Sequence, residues 1–273
     1  IVGHMALAAL AGIPLVLFHR FDPAIALKMI ETWRPTMTVA AITAYIALMN
    51  APGADRIHMS SLQKCYSGGA PIAPSLVEQF QRQFGTYIHN IYGLTESNSP
   101  THAVPLGTQA PVDPNSGALS VGVPIPNADV KVVDLENPDR EVGVGEAGEL
   151  TVRGPMIFAG YWQKPEANEK AFHNGYFMTG DVVIMDNDGW FYIVDRKKDL
   201  INASGFKVWP REVEDTLYRH PAVKEAAVVG VPDPYRGETV KAFIALRDEY
   251  VGKITEADII AFCKERMAAY KYP

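Results

Sequence analysis

Apolar and polar positions follow two rhythms along this chain. Up to about residue 95, apolar runs of strand length take turns with stretches of helical spacing. Phe21–Trp33 places Ile25, Leu27, Met29 and Ile30 on one apolar side, and Asp22-Pro23 supplies a start signal. Met37–Ile42 is β-branched and apolar, which predicts a strand, and Thr43 then stands at an N-cap position before Tyr45–Met49. Ser61–Tyr66 and Tyr87–Ile91 read as further strands, with a helix over Pro74–Phe84 stopped by Gly85. Strands alternating with helices predict a mostly parallel α/β sheet. The opening run Ile1–Phe18 is almost wholly apolar. Gly12 and Pro14 interrupt it after about ten residues, too few to cross a bilayer as a helix. No basic stretch precedes it as in a signal peptide. The expectation is a buried helix followed by a buried strand at Pro14–Phe18.

The rhythm then changes. Residues 100–145 are rich in Pro, Gly, Asn and Asp, and the strand-like runs Asp129–Val133, Gly148–Val152 and Phe191–Val194 are short. The turn Asp186-Asn187-Asp188-Gly189 is a strong hairpin signal, so a small antiparallel β subdomain or barrel is expected. From Lys197 an α+β pattern returns. Trp209-Pro210 opens a helix running to Arg219 with Val213, Leu217 and Tyr218 as core positions. Val223–Val231 and Thr239–Leu246 read as strands, and Glu256–Met267 as a helix. The fold class is therefore α/β: a partial large α/β domain with a small antiparallel β subdomain, then a truncated α+β C-terminal domain. The expected boundaries are residues 1–195 for the large domain and residues 196–273 for the small one. Within the former, the α/β sheet is expected over residues 1–115 and the β-barrel-like subdomain over residues 116–195. The chain starts in mid-pattern without an initiator Met and stops at Tyr270–Pro273 without a closing signal, so it is expected to be a fragment.

Composition changes this picture little. The chain is 48% hydrophobic and 21% charged, without low-complexity tracts or solenoid repeats. A formal charge of −6 argues against broad nucleic-acid binding and leaves room for a local basic pocket. Cys65 and Cys263 lack framework or metal spacing, which reads as buried reduced thiols in a cytoplasmic protein. His4, His58, His89, His102, His173 and His220 show no metal spacing. His4 is read as a satisfied core histidine, with acyl-pocket lining as the alternative.

The candidate chemistry sits in turns. Thr179-Gly180-Asp181 follows an aromatic run, and Gly180 allows a backbone geometry that aims the Asp181 carboxylate sideways. An acceptor-only carboxylate suits a diol, and Arg196, about fifteen residues on, offers a fork of donors. That combination suggests a nucleotide ribose. Ser67-Gly68-Gly69-Ala70-Pro71 would let a flat ligand approach the backbone, though a tight strand-to-helix turn has the same composition. In Tyr92-Gly93-Leu94-Thr95-Glu96, Tyr92 suits stacking on a base, Thr95 a phosphate and Glu96 a Mg2+ ion. A Thr N-cap followed by a solvated Glu would read the same way. Trp190, Phe191 and Tyr192 are read as core rather than as a base cage.

Taken in this order, the motifs resemble the adenylate-forming superfamily of acyl-CoA synthetases, firefly luciferases and nonribosomal-peptide adenylation domains. Ser67–Pro71, Tyr92–Glu96, Gly148–Gly154 with Gly160-Tyr161-Trp162, Thr179–Asp181 and Asp195–Asp199 carry the likeness, which spans essentially all 273 residues. It continues through Ile201–Val208 and Pro232–Glu238. Ile201–Val208 and Ala268–Pro273 look most like fatty acyl-CoA ligases.

The resemblance implies a site residue by residue. Gly68, Gly69 and Ala70 would line the adenine and the acyl-adenylate, with Asn90 and Tyr92 beside the base. Thr95 would contact phosphate and Glu96 the Mg2+. Asp181, assisted by Arg196, would take the ribose hydroxyls, with Ile193 packing near the base. Lys198 matches the hinge of a mobile C-terminal domain, and Ser204, Gly205 and Phe206 match the loop that meets the pantetheine arm of coenzyme A. The implied substrates are ATP, coenzyme A and a small-molecule carboxylic acid. No transmembrane segment is implied, peripheral membrane association stays open, and no oligomeric state is assigned. Two departures stand out: the phosphate loop expected upstream and the catalytic lysine expected downstream fall outside the chain, which as given is expected not to adenylate. Transfer to a carrier protein, or survival as a nucleotide-binding remnant, are the alternatives.

Overall fold

The computed structural model describes residues 2–54, 59–98, 100–114 and 116–273. His58 lies outside the described residues. The chain divides into two compact units, Ile1–Thr179 with Val183–Ile193, and Gly180–Val182 with Val194–Pro273.

The first unit opens with a π-helical turn, Val2–Ala6, and α1, Leu7–Ala11. No strand forms at Pro14–Phe18, and the helix is not buried: of α1 only Ala8 is, while Leu10 is 89% and Leu17 68% exposed. An almost wholly apolar run has no period to name a core-facing side, and Pro14 has no N–H to give a ladder. α2, Pro23–Trp33, starts where its signal stands, with the Asp22 carboxylate accepting from the Ile25 N–H at 2.9 Å. It buries Ala26, Leu27 and Ile30 and leaves Ile25 exposed.

β1, Met37–Ala40, leads directly into α3, Ile42–Met49. Thr43 is not its cap. The joint is so short that the cap position falls on Ala41, and Thr43 lies inside the first turn. β2, Lys64–Ser67, α4, Pro74–Phe84, and β3, Ile88–Gly93, follow, with Gly85 closing α4 in the left-handed conformation. β4, Pro100–Ala103, and β5, Val123–Pro124, complete a sheet of order β1-β2-β3-β4-β5. β1, β2 and β3 are parallel, but β3–β4 and β4–β5 are antiparallel, so the sheet is mixed rather than mostly parallel. Only a short turn separates β3 from β4, and a parallel crossover needs about a dozen residues. The core around this sheet gathers Tyr45, Met59, Leu62, Cys65, Phe80 and Ile88, with Tyr45 edge-on to Phe80 at 5.2 Å.

A second, β-rich sheet contains β6, Asp129–Val133, and β7, Gly148–Arg153, then α5, Pro165–Ala171, and β8, Phe172–His173. β9, Tyr176–Met185, and β10, Phe191–Arg196, follow, giving the order β10-β9-β7-β6 with β8 paired to β9. The Asp186–Gly189 turn joins β9 to β10, its Gly189 N–H donating to the Asp186 carbonyl at 3.1 Å. Val121, Val132, Leu150, Val152, Val183 and Phe191 form its core. Phe191 and Tyr192 are buried, as expected of core aromatics.

In the second unit, β11, Ile201–Ala203, and β12, Phe206–Val208, form a hairpin through Ser204-Gly205, both at positive φ (55° and 84°). α6, Pro210–Tyr218, β13, Val223–Asp233, β14, Gly237–Leu246, and α7, Glu256–Lys264, complete it, with strand order β12-β11-β14-β13. Ile201, Val208, Val213, Leu217, Val223, Ile259 and Cys263 make the core. Tyr218 does not belong to it. One residue past Leu217 turns the helix about 100°, so Tyr218 is 49% exposed and its hydroxyl bonds the Ala226 backbone instead. Both cysteines are free and buried. Among the described residues no helix is long and apolar enough to cross a membrane.

Candidate functional site

The three parallel strands of the first unit end at the same edge. Beyond their carboxyl ends, Ala40-Ala41, Gly68-Gly69 and Gly93-Leu94 line an open groove of about 320 Å³. Open α/β sheets bind ligands at this edge, because the strand ends leave backbone groups unpaired there. Gly68 has no room for a side chain: a Cβ would stand 2.6 Å from the Ile91 carbonyl oxygen. Gly69 sits at φ +83° with open space beside it. Ala70 follows at an exposed bend. Asn90 is buried and faces inward, its amide donating to the Ser120 carbonyl at 3.0 Å, so it braces β3 from within. Tyr92 is half-buried, its ring 5.8 Å from that of His102.

Thr95–Ser97 form a single 3₁₀ turn after β3. Ser97 Oγ ties it down, accepting from the Leu94 N–H and donating to the Leu94 carbonyl, both at 2.9 Å. Thr95 is exposed and Glu96 half-buried. The Tyr161 hydroxyl donates to Glu96 Oε1 at 2.8 Å, a pairing across 65 residues that no local pattern announces. Burial, together with the Glu96 carboxylate, pushes the Tyr161 phenol upward, so it stays a donor at neutral pH. Among the described residues no group of three or more His, Cys, Asp or Glu gathers for a metal. A lone carboxylate fits a Mg2+ ion that arrives on phosphate oxygens and keeps its waters.

His102 lies behind Tyr92, fully buried in β4 and 4.6 Å from the ring of Phe191. Its Nδ1 meets Thr101 Oγ1 at 3.0 Å and its Nε2 has no partner. Burial pushes its pKa down to about 3. The unfolded chain takes up this proton near pH 6.5 and the folded chain only near pH 3, so stability is full above 6.5 and lost as pH falls. The expected slope is at most about 1.4 kcal/mol per pH unit in that window. Urea unfolding of wild type and His102→Leu from pH 7 to 4 checks this. Equal slopes for the two proteins would refute the buried neutral histidine.

Ile193, on β10, packs half-buried against the β core of the same unit. In the second unit Asp181 is buried and its carboxylate stands 3.6 Å from Arg196 Nε, with Gly180 before it at φ +72°. Asp195 accepts from the backbone N–H groups of Arg196 and Arg211 at 2.8 and 3.1 Å, and burial raises its pKa against the pull of those bonds. Lys198 is exposed in a 3₁₀ turn, Lys197–Asp199. Ser204, Gly205 and Phe206 form the exposed hairpin tip, where the Phe206 ring stacks on Tyr270 at 4.5 Å.

Parallel strands followed by helices, with a glycine-lined groove at their carboxyl ends, make the first unit an α/β protein. Residues 1–162 match AMP-binding enzymes and residues 212–273 match the AMP-binding enzyme C-terminal domain. The chain belongs to the AMP-binding enzyme family. It is 39% identical over 263 residues to a long-chain-fatty-acid–CoA ligase of Bacillus subtilis, covering 96% of this chain and 45% of that protein. A feruloyl-CoA synthase of Amycolatopsis is 36% identical, covering 97% of this chain and 52% of that protein. ATP-bound MatB from Rhodopseudomonas palustris superposes with a TM-score of 0.83 at 28% identity, covering 98% of this chain and 51% of that one. The chain thus spans about half the length of the curated relatives it matches.

Proposed function

We propose that the protein to which this chain belongs activates a fatty or related carboxylic acid with ATP and hands the acyl group to coenzyme A. The observation that carries the reading is the glycine-lined groove at the ends of three parallel strands, with the Thr95–Glu96 turn beside it, in a chain of the AMP-binding family. In the first step the substrate carboxylate oxygen bonds to the α-phosphorus of ATP and pyrophosphate leaves with the electron pair of the broken P–O bond. In the second, the thiol of coenzyme A gives up its proton, its sulfur bonds to the acyl carbonyl carbon, and AMP departs. Little covalent work falls to the protein, whose task is positioning and neutralising charge.

In this reading Gly68, Gly69 and Ala70 border the adenine and acyl-adenylate, and Tyr92 offers a ring face to the base. Thr95 donates to phosphate, and Glu96 is the protein ligand of a Mg2+ ion that neutralises phosphate charge. Asn90 stands beside the base, its amide held by the Ser120 carbonyl. Asp181 and Arg196 take the ribose, Ile193 packs near the base, Lys198 serves as hinge, and Ser204–Phe206 meet the pantetheine arm. The boundaries 1–195 and 196–273 belong to the same reading, as does a cytoplasmic setting, which two buried free thiols support.

The 273-residue chain by itself is expected to show no acid-dependent pyrophosphate exchange, and detecting exchange would overturn that expectation. A polypeptide extended to the length of its curated relatives is expected to release AMP only with both an acid and coenzyme A. Assaying short, medium, long and aromatic acids tests the reading. AMP release that ignores coenzyme A throughout would refute it.

A further inference from the structure

One segment holds Glu96 from two sides. The Tyr161 hydroxyl donates to Glu96 Oε1 at 2.8 Å, and the Phe158 N–H donates to the Glu96 carbonyl at 2.8 Å. Tyr161 is itself clamped. Its N–H donates to Asn168 Oδ1 at 2.7 Å, and its carbonyl accepts from Asn168 Nδ2 at 3.0 Å. Gly160, at φ +135°, brings the chain so close that a Cβ there would lie 3.0 Å from Asn168 Oδ1. Phe158 packs its ring 4.8 Å from that of Tyr161 and 5.6 Å from that of Phe172. The phenol is therefore aimed by a braced backbone, and the carboxylate it meets is fixed in turn.

We propose that Tyr161 is a positioning residue that makes Glu96 a one-oxygen cation ligand and thereby selects Mg2+ over Ca2+. The proposal rests on the reading of Glu96 as a cation ligand. With Oε1 accepting from the phenol, a metal held by both oxygens would have to compete with that hydrogen bond, whereas one held by Oε2 alone would leave it intact. Mg2+ demands near-octahedral geometry and is content with one carboxylate oxygen plus water and phosphate. Ca2+ takes more oxygens at longer distances and often uses a carboxylate with both. A carboxylate restricted to one oxygen denies Ca2+ that mode and costs Mg2+ nothing. Freed from the phenol, the same carboxylate would turn and offer both.

The test is calorimetry of a polypeptide extended to the length of the curated relatives with β,γ-imido-ATP, once with Mg2+ and once with Ca2+, alongside thermal melts. Tyr161→Phe is expected to raise the Ca2+-to-Mg2+ affinity ratio about tenfold, the scale of one charge-assisted hydrogen bond. Asn168→Ala keeps the phenol but loosens its clamp, and should move the ratio the same way by less. Glu96→Gln should remove the metal dependence of nucleotide binding. An unchanged ratio in Tyr161→Phe, or equal losses with both metals, overturns the proposal while leaving Glu96 as ligand. Metal-independent binding by wild type, no nucleotide binding at all, or unaltered metal dependence in Glu96→Gln overturns the Glu96 reading and the proposal with it.

Discussion

Replacing Gly122 by alanine is expected to destabilise the first unit by about 4 kcal/mol or more, the sum of overpacking and backbone strain at one position. Gly122 holds φ +99°, and a Cβ there would stand 2.0 Å from the Ala103 carbonyl carbon and 2.4 Å from the Val104 nitrogen. These are backbone atoms of β4 and its continuation, so no side-chain rotation relieves the contact. The glycine cannot retreat either. Its carbonyl accepts from the Phe191 N–H at 3.0 Å, and the preceding Val121 N–H donates to the Phe191 carbonyl at 2.9 Å. Those two bonds tie the connection after β4 to β10, next to the core residues Val121 and Phe191. Urea unfolding provides the measurement, with Gly143→Ala as control. Gly143 meets nothing nearer than 3.6 Å, in the flexible Glu146 side chain. Its alanine variant should stay within about 0.5 kcal/mol of wild type. Gly122→Ala with wild-type stability would mean that the crossing is looser than its distances say.

Asp181→Ala is expected to weaken nucleotide binding about ten- to a hundredfold, the scale of one or two hydrogen bonds to a charged group. Asp181 is buried inside β9, not in the turn its sequence suggested, directly after Gly180 at φ +72°, and it stands 3.6 Å from the exposed Arg196. Such a carboxylate offers two acceptor oxygens, and a ribose offers two hydroxyl donors. Affinity alone does not isolate that match, because alanine also leaves Arg196 with a missing partner. Comparing ATP with 2′,3′-dideoxy-ATP does. Wild type should prefer the diol, and Asp181→Ala should bind the two nucleotides alike, the signature of a coupled pair. Asp181→Asn, which keeps shape but loses charge, should fall between. If the alanine variant still distinguishes the two nucleotides, Asp181 is not the ribose ligand.

The local chemistry of the chain was legible from its residues. Asp22-Pro23 starts a helix because a carboxylate accepts from a free N–H, and Gly85 ends one because it alone reaches the left-handed region cheaply. The alternation of strands and helices up to Gly93 was legible for the same reason, since each signal lies within a few residues. So were the motifs that mark the family: Ser67–Pro71 and Tyr92–Glu96 are contiguous, and each begins at the carboxyl end of a parallel strand. Where expectation failed, the deciding partner was remote. Pro14–Phe18 is apolar enough for a strand, yet no neighbour pairs with it. Tyr218 looked like core until the face of α6 was set by Val213 and Leu217.

What the sequence by itself determined was the class of fold and most of the order of elements. Helical and strand periods, caps and glycine conformations are short-range physics, complete within one or two turns of chain. Tertiary structure alone decided that the strand ends open a groove, that His102 is stranded without a partner for Nε2, and that Gly122 has no space for a methyl group. It alone brought Tyr161 to Glu96 across 65 residues. Contacts of that kind depend on where two distant segments pack. The residues at either end carry no trace of it, because a tyrosine and a glutamate are ordinary surface residues until the fold sets them 2.8 Å apart.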